Sequence, residues 1–176
     1  VELVKRVDSL TQVLTLGPVP DALADVGLAP VVTIHNDVAG WPRGTADLDA
    51  RRARVVVNDM DEAPADEVVN TIKGNGGNAV ACVGNVTAPD FGDRIVETAL
   101  QNFNGIDIIV NNAGYTWDSV IQKMTDEQFQ AMLDVHLIAP FRILRAASEP
   151  IRIFSKEEAA RGEEVFRKVV NISSMA

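Results

Sequence analysis

Hydrophobic and polar residues occur in blocks along this chain, and from Arg54 onward the blocks predict strands and helices in regular alternation. Short apolar runs predict strands buried on both faces, because such strands lack the alternation of half-exposed ones. The predicted strands are Leu28–Ile34, Arg54–Asp59, Ala79–Val83, Ile106–Val110 and Lys168–Ile172. Alternating strands and helices indicate βαβ units, and therefore an α/β fold with a doubly wound parallel sheet.

Apolar residues spaced three or four positions apart predict the helices between these strands. Glu62–Lys73 fits one helix, and Thr87 is expected to cap a second, whose apolar face comprises Phe91, Ile95, Ala99 and Phe103. Thr125 with Gln128 is a capping-box pattern. The helix that starts there is expected to present one apolar stripe: Phe129, Met132, Leu133, His136, Leu137, Pro140 and Leu144.

Two further segments have weaker patterns. Thr45–Arg52 fits a helix that leads to the strand at Arg54. The charged stretch Ser155–Arg167 is interpreted as a solvated helical extension or loop in preference to a subunit contact.

Length and charge restrict the class of protein. The 176 residues fit one domain, and the formal net charge of -9 argues against nucleic acid or an anionic membrane as a partner. No apolar run is long enough to span a bilayer, and because Glu2 comes early and no basic segment there leads into an apolar stretch, we expect no signal peptide in these residues. Cys82 is the single cysteine and lies in an apolar run, so we expect a buried thiol, no cysteine-based metal site and a cytoplasmic setting.

The most specific motif is Asp107–Gly114, an apolar strand followed by Asn-Asn-Ala-Gly. Asparagine and glycine suit the turn at the carboxyl end of a parallel strand, where open α/β sheets bind ligands. The motif resembles the signature of the short-chain dehydrogenase/reductase family. The resemblance implies a Rossmann-like fold and hydride transfer between a nicotinamide cofactor and a secondary alcohol or ketone, with a small-molecule substrate.

The resemblance also indicates where a cofactor would bind. Asp59 ends a strand where an acidic side chain can accept hydrogen bonds from a ribose, and it would repel a 2′-phosphate, so NAD is favoured over NADP. The alternative is an aspartate that only opens the next turn. Asn85 and Val86 stand where the family recognises adenine, although Asn85 fits a plain turn residue equally well. Asn111, Ala113 and Gly114 would form the floor of the cofactor site, and Asn111 would also join neighbouring strands.

Two catalytic candidates follow from the same resemblance. Ser174, in the string Asn-Ile-Ser-Ser, matches the serine that donates a hydrogen bond to the substrate carbonyl. His136 stands where the family usually has an asparagine of the proton relay. Because His136 lies on the predicted apolar stripe, the favoured alternative is an inward-facing core histidine. Two histidines far apart in the sequence make no case for a metal site.

Residues 1–53 form a divergent N-terminal segment, and residues 54–176 form a partial Rossmann-like domain. The family's glycine-rich phosphate turn should follow Thr33, but only Gly40 matches it. Three explanations remain: a degenerate member without its phosphate cradle, a coding region out of frame or rearranged, or an unrelated segment joined to a family fragment. Damage to the first βα unit is favoured over a new function.

In the family, a tyrosine and a lysine that transfer the proton follow the serine segment, whereas this chain ends at Ala176 and its single tyrosine, Tyr115, is elsewhere. We therefore expect a fold truncated after the serine-bearing strand, without measurable turnover by itself. The resemblance favours 3-oxoacyl or 3-hydroxyacyl thioesters as substrates and a homo-oligomer for a complete protein. The alternative is a non-catalytic remnant or a partner subunit of a complete paralogue.

Overall fold

The computed structural model describes residues 30–34 by their backbone and residues 54–172 with side chains. The strands are β1 Pro30–Ile34, β2 Arg54–Asn58, β3 Asn78–Ala81, β4 Ile108–Asn111 and β5 Lys168–Asn171. The helices are α1 Glu62–Gly74, α2 Phe91–Phe103, α3 Asp126–Leu133 and α4 Ala139–Ala160, and a π-helical segment, Asp134–Ile138, joins α3 to α4. The predicted strands are confirmed, with ends that differ by at most two residues. The predicted helix Thr45–Arg52 lies outside the described residues.

The described strands pair in parallel in the order β3-β2-β1-β4-β5. The chain builds outward from β1 to β3 and then returns to the other side of β1 with β4. All carboxyl ends therefore meet at one edge of the sheet, and the strand order reverses between β1 and β4. Open α/β sheets bind ligands outside this edge, beside such a reversal.

Helices cover both faces of the sheet, which confirms the doubly wound α/β prediction. Successive strand residues point to opposite faces. Val56 packs with α2 and α4 in a cluster that includes Ile95 and Ile143. The opposite face packs against α1 in a second cluster of buried residues: Val55, Val57, Val69, Ile72, Ala79 and Val110. None of the described helices is long and apolar enough to cross a membrane.

Helices α2 and α4 approach each other closely at Gly92. A Cβ atom at this position would lie 2.8 Å from the carbonyl oxygen of Arg142 and 3.1 Å from the backbone nitrogen of Ile143. The missing side chain therefore lets the two helix backbones come together over the sheet.

The helix expected from Thr125 is interrupted. Its capping box is confirmed, since the side chains of Thr125 and Gln128 each accept a hydrogen bond from the backbone of the other. At the other end, the N–H of Ala139 donates to Asp134 five residues earlier, which defines the π-helical segment. Pro140 has no N–H, so the carbonyl of residue 136 cannot receive its α-helical hydrogen bond.

The predicted apolar stripe was wrong in part, because it assumed a uniform helical period through this segment. Met132 and Leu144 pack against the core as expected, whereas Phe129 and Leu137 do not. The extra residue in the π-helical turn rotates the inward face. Phe129 is 55% exposed and Leu137 is 62% exposed. The buried positions are Val135, Ala139, Ile143 and Ala147.

The expected cap of α2 was also wrong. The helix begins at Phe91, and Asp90 occupies the N-cap position. Thr87 donates hydrogen bonds to the side chain of Asn85, so it belongs to a turn that precedes the helix. The helical extension and loop expected for Ser155–Arg167 are confirmed, since α4 runs on to Ala160 and a loop follows. The preference over a subunit contact stays a prediction.

Candidate functional site

Loops that follow three of the strands leave the carboxyl edge of the sheet. Asp59 follows β2, Asn85 and Val86 follow β3, and Ala113 and Gly114 follow β4. The parallel pairing brings these sequence-predicted residues to the same edge. Ser174 and Gly40 lie outside the described residues, so their predicted roles have no structural counterpart here.

Asp59 is buried, with 4% of its surface exposed, and one oxygen of its carboxylate accepts a hydrogen bond from the N–H of Asp61 at 3.1 Å. This contact is the turn-opening role that the sequence offered as an alternative to ribose binding. The two roles are compatible, because an ionised carboxylate can accept about four hydrogen bonds.

Asn58, which the sequence analysis overlooked, ties the ends of β2 and β3 together. It is 1% exposed, and its Nδ2 donates to the carbonyl oxygens of Cys82 and Gly84, at 2.9 Å in both cases. The N–H of Gly84 returns a hydrogen bond to the carbonyl of Asp59 at 2.9 Å. An asparagine at the end of an apolar strand was the available signal, since a buried amide needs partners.

Two arginines hold the rest of the β3–α2 loop, residues 82–90. Arg94 of α2 donates to the carbonyl of Val83 at 2.9 Å, and Arg142 of α4 donates to the carbonyl of Thr87 at 2.7 Å. Side chains from β2, α2 and α4 thus fix this loop, so its shape is set before any ligand arrives. Neither arginine stood out in the sequence, where single basic residues on helices resemble solvated ones.

Cys82 is 6% exposed, which confirms the prediction of a buried thiol. Burial raises the pKa of the Cys82 thiol above its ordinary value, although a hydrogen bond with Thr98 and the charge of Arg94 oppose the shift. The thiol is therefore protonated and unreactive. A groove of about 360 Å³ lies beside it between β3 and α2, lined by Ala81, Cys82, Val83, Arg94, Glu97, Thr98 and Gln101.

Asn111 joins β4 to β5, as the resemblance implied. It pairs in register with Asn171, and its Nδ2 donates to the Oδ1 of Asn171 at 2.8 Å. Asn111 is 7% exposed, and its own Oδ1 is buried without a hydrogen-bond partner among the described residues. A buried acceptor of this kind at the carboxyl edge suits a site that is completed by a polar ligand.

His136 is exposed and does not face the core, because the π-helical segment turns it outward. Its Nε2 lies 3.0 Å from the carbonyl oxygen of Tyr115. A carbonyl can only accept, so Nε2 carries the hydrogen in this contact. A Cβ atom at Gly114 would lie 2.6 Å from Cε1 of the imidazole. The lack of a side chain at Gly114 therefore leaves room for this ring.

The family comparison agrees with this geometry. The family model described as short chain dehydrogenase matches residues 39–176. The chain belongs to the short-chain dehydrogenase family. Members of this family use NAD or NADP for oxidation and reduction, and the sheet order found here is that of a dinucleotide-binding fold.

Two curated relatives act on acyl substrates by name. A 3-oxoacyl-[acyl-carrier-protein] reductase of Synechocystis sp. is 36% identical over 150 residues, which cover 84% of this chain and 57% of the relative. The hydroxyacyl-CoA dehydrogenase ChsB1 of Mycobacterium tuberculosis is 36% identical over 152 residues, which cover 83% of this chain and 47% of the relative. This chain thus spans about half the length of either relative.

Solved structures have the same fold. A short chain dehydrogenase from Mycobacterium avium superposes with a TM-score of 0.67 at 32% identity, covering 84% of this chain and 54% of that one. An NADH-dependent reductase in complex with NAD superposes with a TM-score of 0.70 at 19% identity, covering 84% of this chain and 60% of that one. A metagenomic short-chain oxidoreductase in complex with NADP superposes with a TM-score of 0.66 at 28% identity, covering 85% of this chain and 62% of that one. Both forms of the cofactor therefore occur among the structural neighbours.

Proposed function

We propose that this chain supplies the nucleotide-binding part of an NAD-dependent oxidoreductase that transfers hydride between nicotinamide and a secondary alcohol or ketone carbon. The observation that carries the proposal is the clustering of Asp59, Asn85, Val86 and Asn111 at the carboxyl edge of a sheet with dinucleotide-binding strand order. For the whole protein, 3-oxoacyl or 3-hydroxyacyl thioesters are the proposed substrates, because the relatives named above act on such acyl groups.

The adenosine end of the cofactor is assigned to the ends of β2 and β3. The carboxylate of Asp59 would accept hydrogen bonds from the ribose hydroxyls, and Asn85 with the backbone of Val86 would contact the adenine ring. The hydrogen bonds from Asn58, Arg94 and Arg142 support this assignment, because a loop held in advance loses less freedom when a ligand binds.

The charges around this end favour NAD. Asp59, Asp61 and Glu62 lie at and after the end of β2, and residues 58–62 include no basic side chain. A 2′-phosphate on the ribose would therefore meet the negative charge of this segment, and none of residues 58–62 would neutralise it. The discrimination against NADP is electrostatic, so it should weaken as the salt concentration rises.

The nicotinamide end is assigned to β4 and β5. Asn111, Ala113 and Gly114 would form its floor, Gly40 would adjoin the phosphates, and Ser174 would donate a hydrogen bond to the substrate oxygen as negative charge develops there. Bound nicotinamide supplies or accepts the hydride. His136 is assigned a positioning role, because its contact with the Tyr115 carbonyl fixes the turn after β4.

For the whole protein we also propose a cytoplasmic homo-oligomer. The support is the exposed apolar residues on α3, on the π-helical segment and on α4: Phe129, Leu137 and Phe141. Association of these residues across two copies would remove apolar surface from water.

Calorimetric titration of the 176-residue chain with NAD and NADP tests the nucleotide proposal without requiring turnover. We expect saturable NAD binding and weaker NADP binding. Asp59→Asn keeps an acceptor for Asp61 but removes the charge, so it should reduce the preference for NAD, whereas the exposed control Glu67→Gln should leave it unchanged. Absence of binding to either nucleotide would instead favour a non-catalytic remnant or a partner subunit. The poor match of the segment around Gly40 to the family's glycine turn also supports that alternative.

A further inference from the structure

The side chain of Asn85 is already engaged by its own loop. Its Oδ1 accepts hydrogen bonds from the backbone N–H and from the hydroxyl of Thr87, at 2.9 Å in both cases. An amide oxygen has two lone pairs, so these two donors use its accepting capacity.

The orientation of the Asn85 amide follows from the same contacts. The backbone N–H of Thr87 can only donate, so Oδ1 must face it and Nδ2 must point elsewhere. Asn85 is exposed, and no described residue accepts a hydrogen bond from its Nδ2. A molecule bound against Asn85 would therefore meet an N–H donor.

The loop gives Asn85 little freedom to change this arrangement. The preceding carbonyls, those of Val83 and Gly84, accept hydrogen bonds from Arg94 and Asn58, and the carbonyl of Thr87 accepts one from Arg142. Rotation of the Asn85 amide would place Nδ2 against the Thr87 N–H, two donors facing each other, and would cost the hydrogen bond from that N–H.

We propose that Asn85 determines base specificity by presenting a donor, which lowers the preference for a 6-amino purine over a 6-oxo purine. The 6-amino group of adenine is itself a donor and gains no partner from Nδ2, whereas the 6-oxo group of hypoxanthine can accept from it. The inference rests on the proposed function, since it requires the base of a nucleotide to lie against this loop.

An aspartate at this position would behave differently. One of its oxygens would still accept from Thr87, so the turn would remain, and the other would accept from the 6-amino group. The same oxygen would repel a 6-oxo group. Asn85→Asp therefore changes the hydrogen-bonding character of one atom without disturbing the fold.

The test is calorimetric titration of the chain with NAD and with nicotinamide hypoxanthine dinucleotide. We expect Asn85→Asp to change the ratio of the two dissociation constants by about tenfold in favour of NAD binding. This is the effect expected when one hydrogen bond is gained with the 6-amino group and one is lost with the 6-oxo group. The control Asn102→Asp makes the same chemical change on the exposed face of α2, where Asn102 donates to the Thr98 carbonyl, and it should leave the ratio unchanged.

The two levels of the hypothesis fail in different ways. If the wild-type chain binds both dinucleotides and Asn85→Asp leaves their ratio unchanged, the base-specificity inference is wrong and the proposed function stands. If the wild-type chain binds neither, the proposed function fails and the inference fails with it. Because the readout is a ratio, a general loss of affinity from the added negative charge cancels.

Discussion

Strands β2 and β5 have similar sequences, Arg-Val-Val-Val-Asn and Lys-Val-Val-Asn, yet they have different environments. All three valines of β2 are 0% exposed, whereas Val169 of β5 is 46% exposed. Helices pack on both faces of β2. An apolar run therefore predicts a strand, but the elements packed around the strand decide how deeply it is buried.

The polar ends of the two strands differ in the same way. Asn58 at the end of β2 is buried and donates into the β3–α2 loop. Asn171 at the end of β5 is exposed, and within the described part of the chain its side chain hydrogen-bonds to Asn111 alone. The side of the sheet assigned to adenosine is thus held by several long-range hydrogen bonds. The other side retains exposed apolar residues: Tyr115, Trp117, Ile121, Phe166 and Val169.

The largest effect is expected from a substitution that disrupts the packing of α2 against α4 over the sheet. Gly92→Ala should lower the free energy of unfolding by about 3 kcal/mol, because the added methyl meets the backbone of α4, which cannot rotate away. Denaturant unfolding measures the change. Gly74→Ala is the matched control, since a Cβ at that position has no other atom within 4 Å. Equal stabilities for the two variants would contradict the packing account.

The same substitution in the two strands measures their difference directly. Val56→Ala should cost about 2.5 kcal/mol because it leaves a cavity in a packed cluster. Val169→Ala should cost less than about 0.5 kcal/mol because that side chain is half exposed. Unfolding of both variants in denaturant gives the two values, and a similar loss at both positions would show that β5 is as well packed as β2.

The sequence could predict these strands and the residues gathered at the carboxyl edge, because apolar runs, turns and the Asn-Asn-Ala-Gly motif are local signals. It could not predict the hydrogen bonds that Asn58 and Arg142 donate, because their acceptors lie far along the chain. The carbonyl of Cys82 is 24 positions from Asn58, and that of Thr87 is 55 positions from Arg142. Such contacts exist only once the fold has brought the groups together. The outward position of His136 was hidden for a related reason, since it depends on a change of helical period.

The ion pair between Arg167 and Glu158, which the sequence did not predict, gives the next prediction. Arg167 donates to both carboxylate oxygens of Glu158, at 2.6 and 2.8 Å, and this hydrogen bonding holds the pKa of Glu158 below its ordinary value. Such a group stabilises the fold above its unfolded pKa and loses that contribution as the pH falls through its folded pKa. Glu158→Gln should cost about 1.5 kcal/mol near neutral pH and flatten the loss of stability below about pH 4.5.

Asp107 lies beside the same arginine, and its pKa is shifted in the opposite direction to that of Glu158. Burial raises the pKa of Asp107 above its ordinary value, so its ionised form opposes folding and its protonation at low pH restores stability. Asp107→Asn should therefore make the acid-induced loss of stability steeper. Unfolding free energies measured across the acid range would contradict this account if both variants changed the slope in the same direction.

The smallest expected effect concerns the turn after β4. Gly114→Ala should cost about 1 kcal/mol, because the imidazole of His136 must move and give up its hydrogen bond to Tyr115. His136→Ala removes the obstacle, so the double variant should lose about 0.5 kcal/mol less than the sum of the single variants. Strict additivity in a double-mutant cycle would show that the two residues do not meet.

The central claim is that the carboxyl ends of β2 and β3 hold the adenosine part of a dinucleotide. Titrating the isotope-labelled chain with AMP and following its amide NMR signals tests this most directly. The account predicts saturable shifts for Met60, for Val83–Thr87 and for the side-chain amide of Asn85. Shifts confined to Glu97, Thr98 and Gln101 in the groove beside α2, or no saturable shifts, would contradict it.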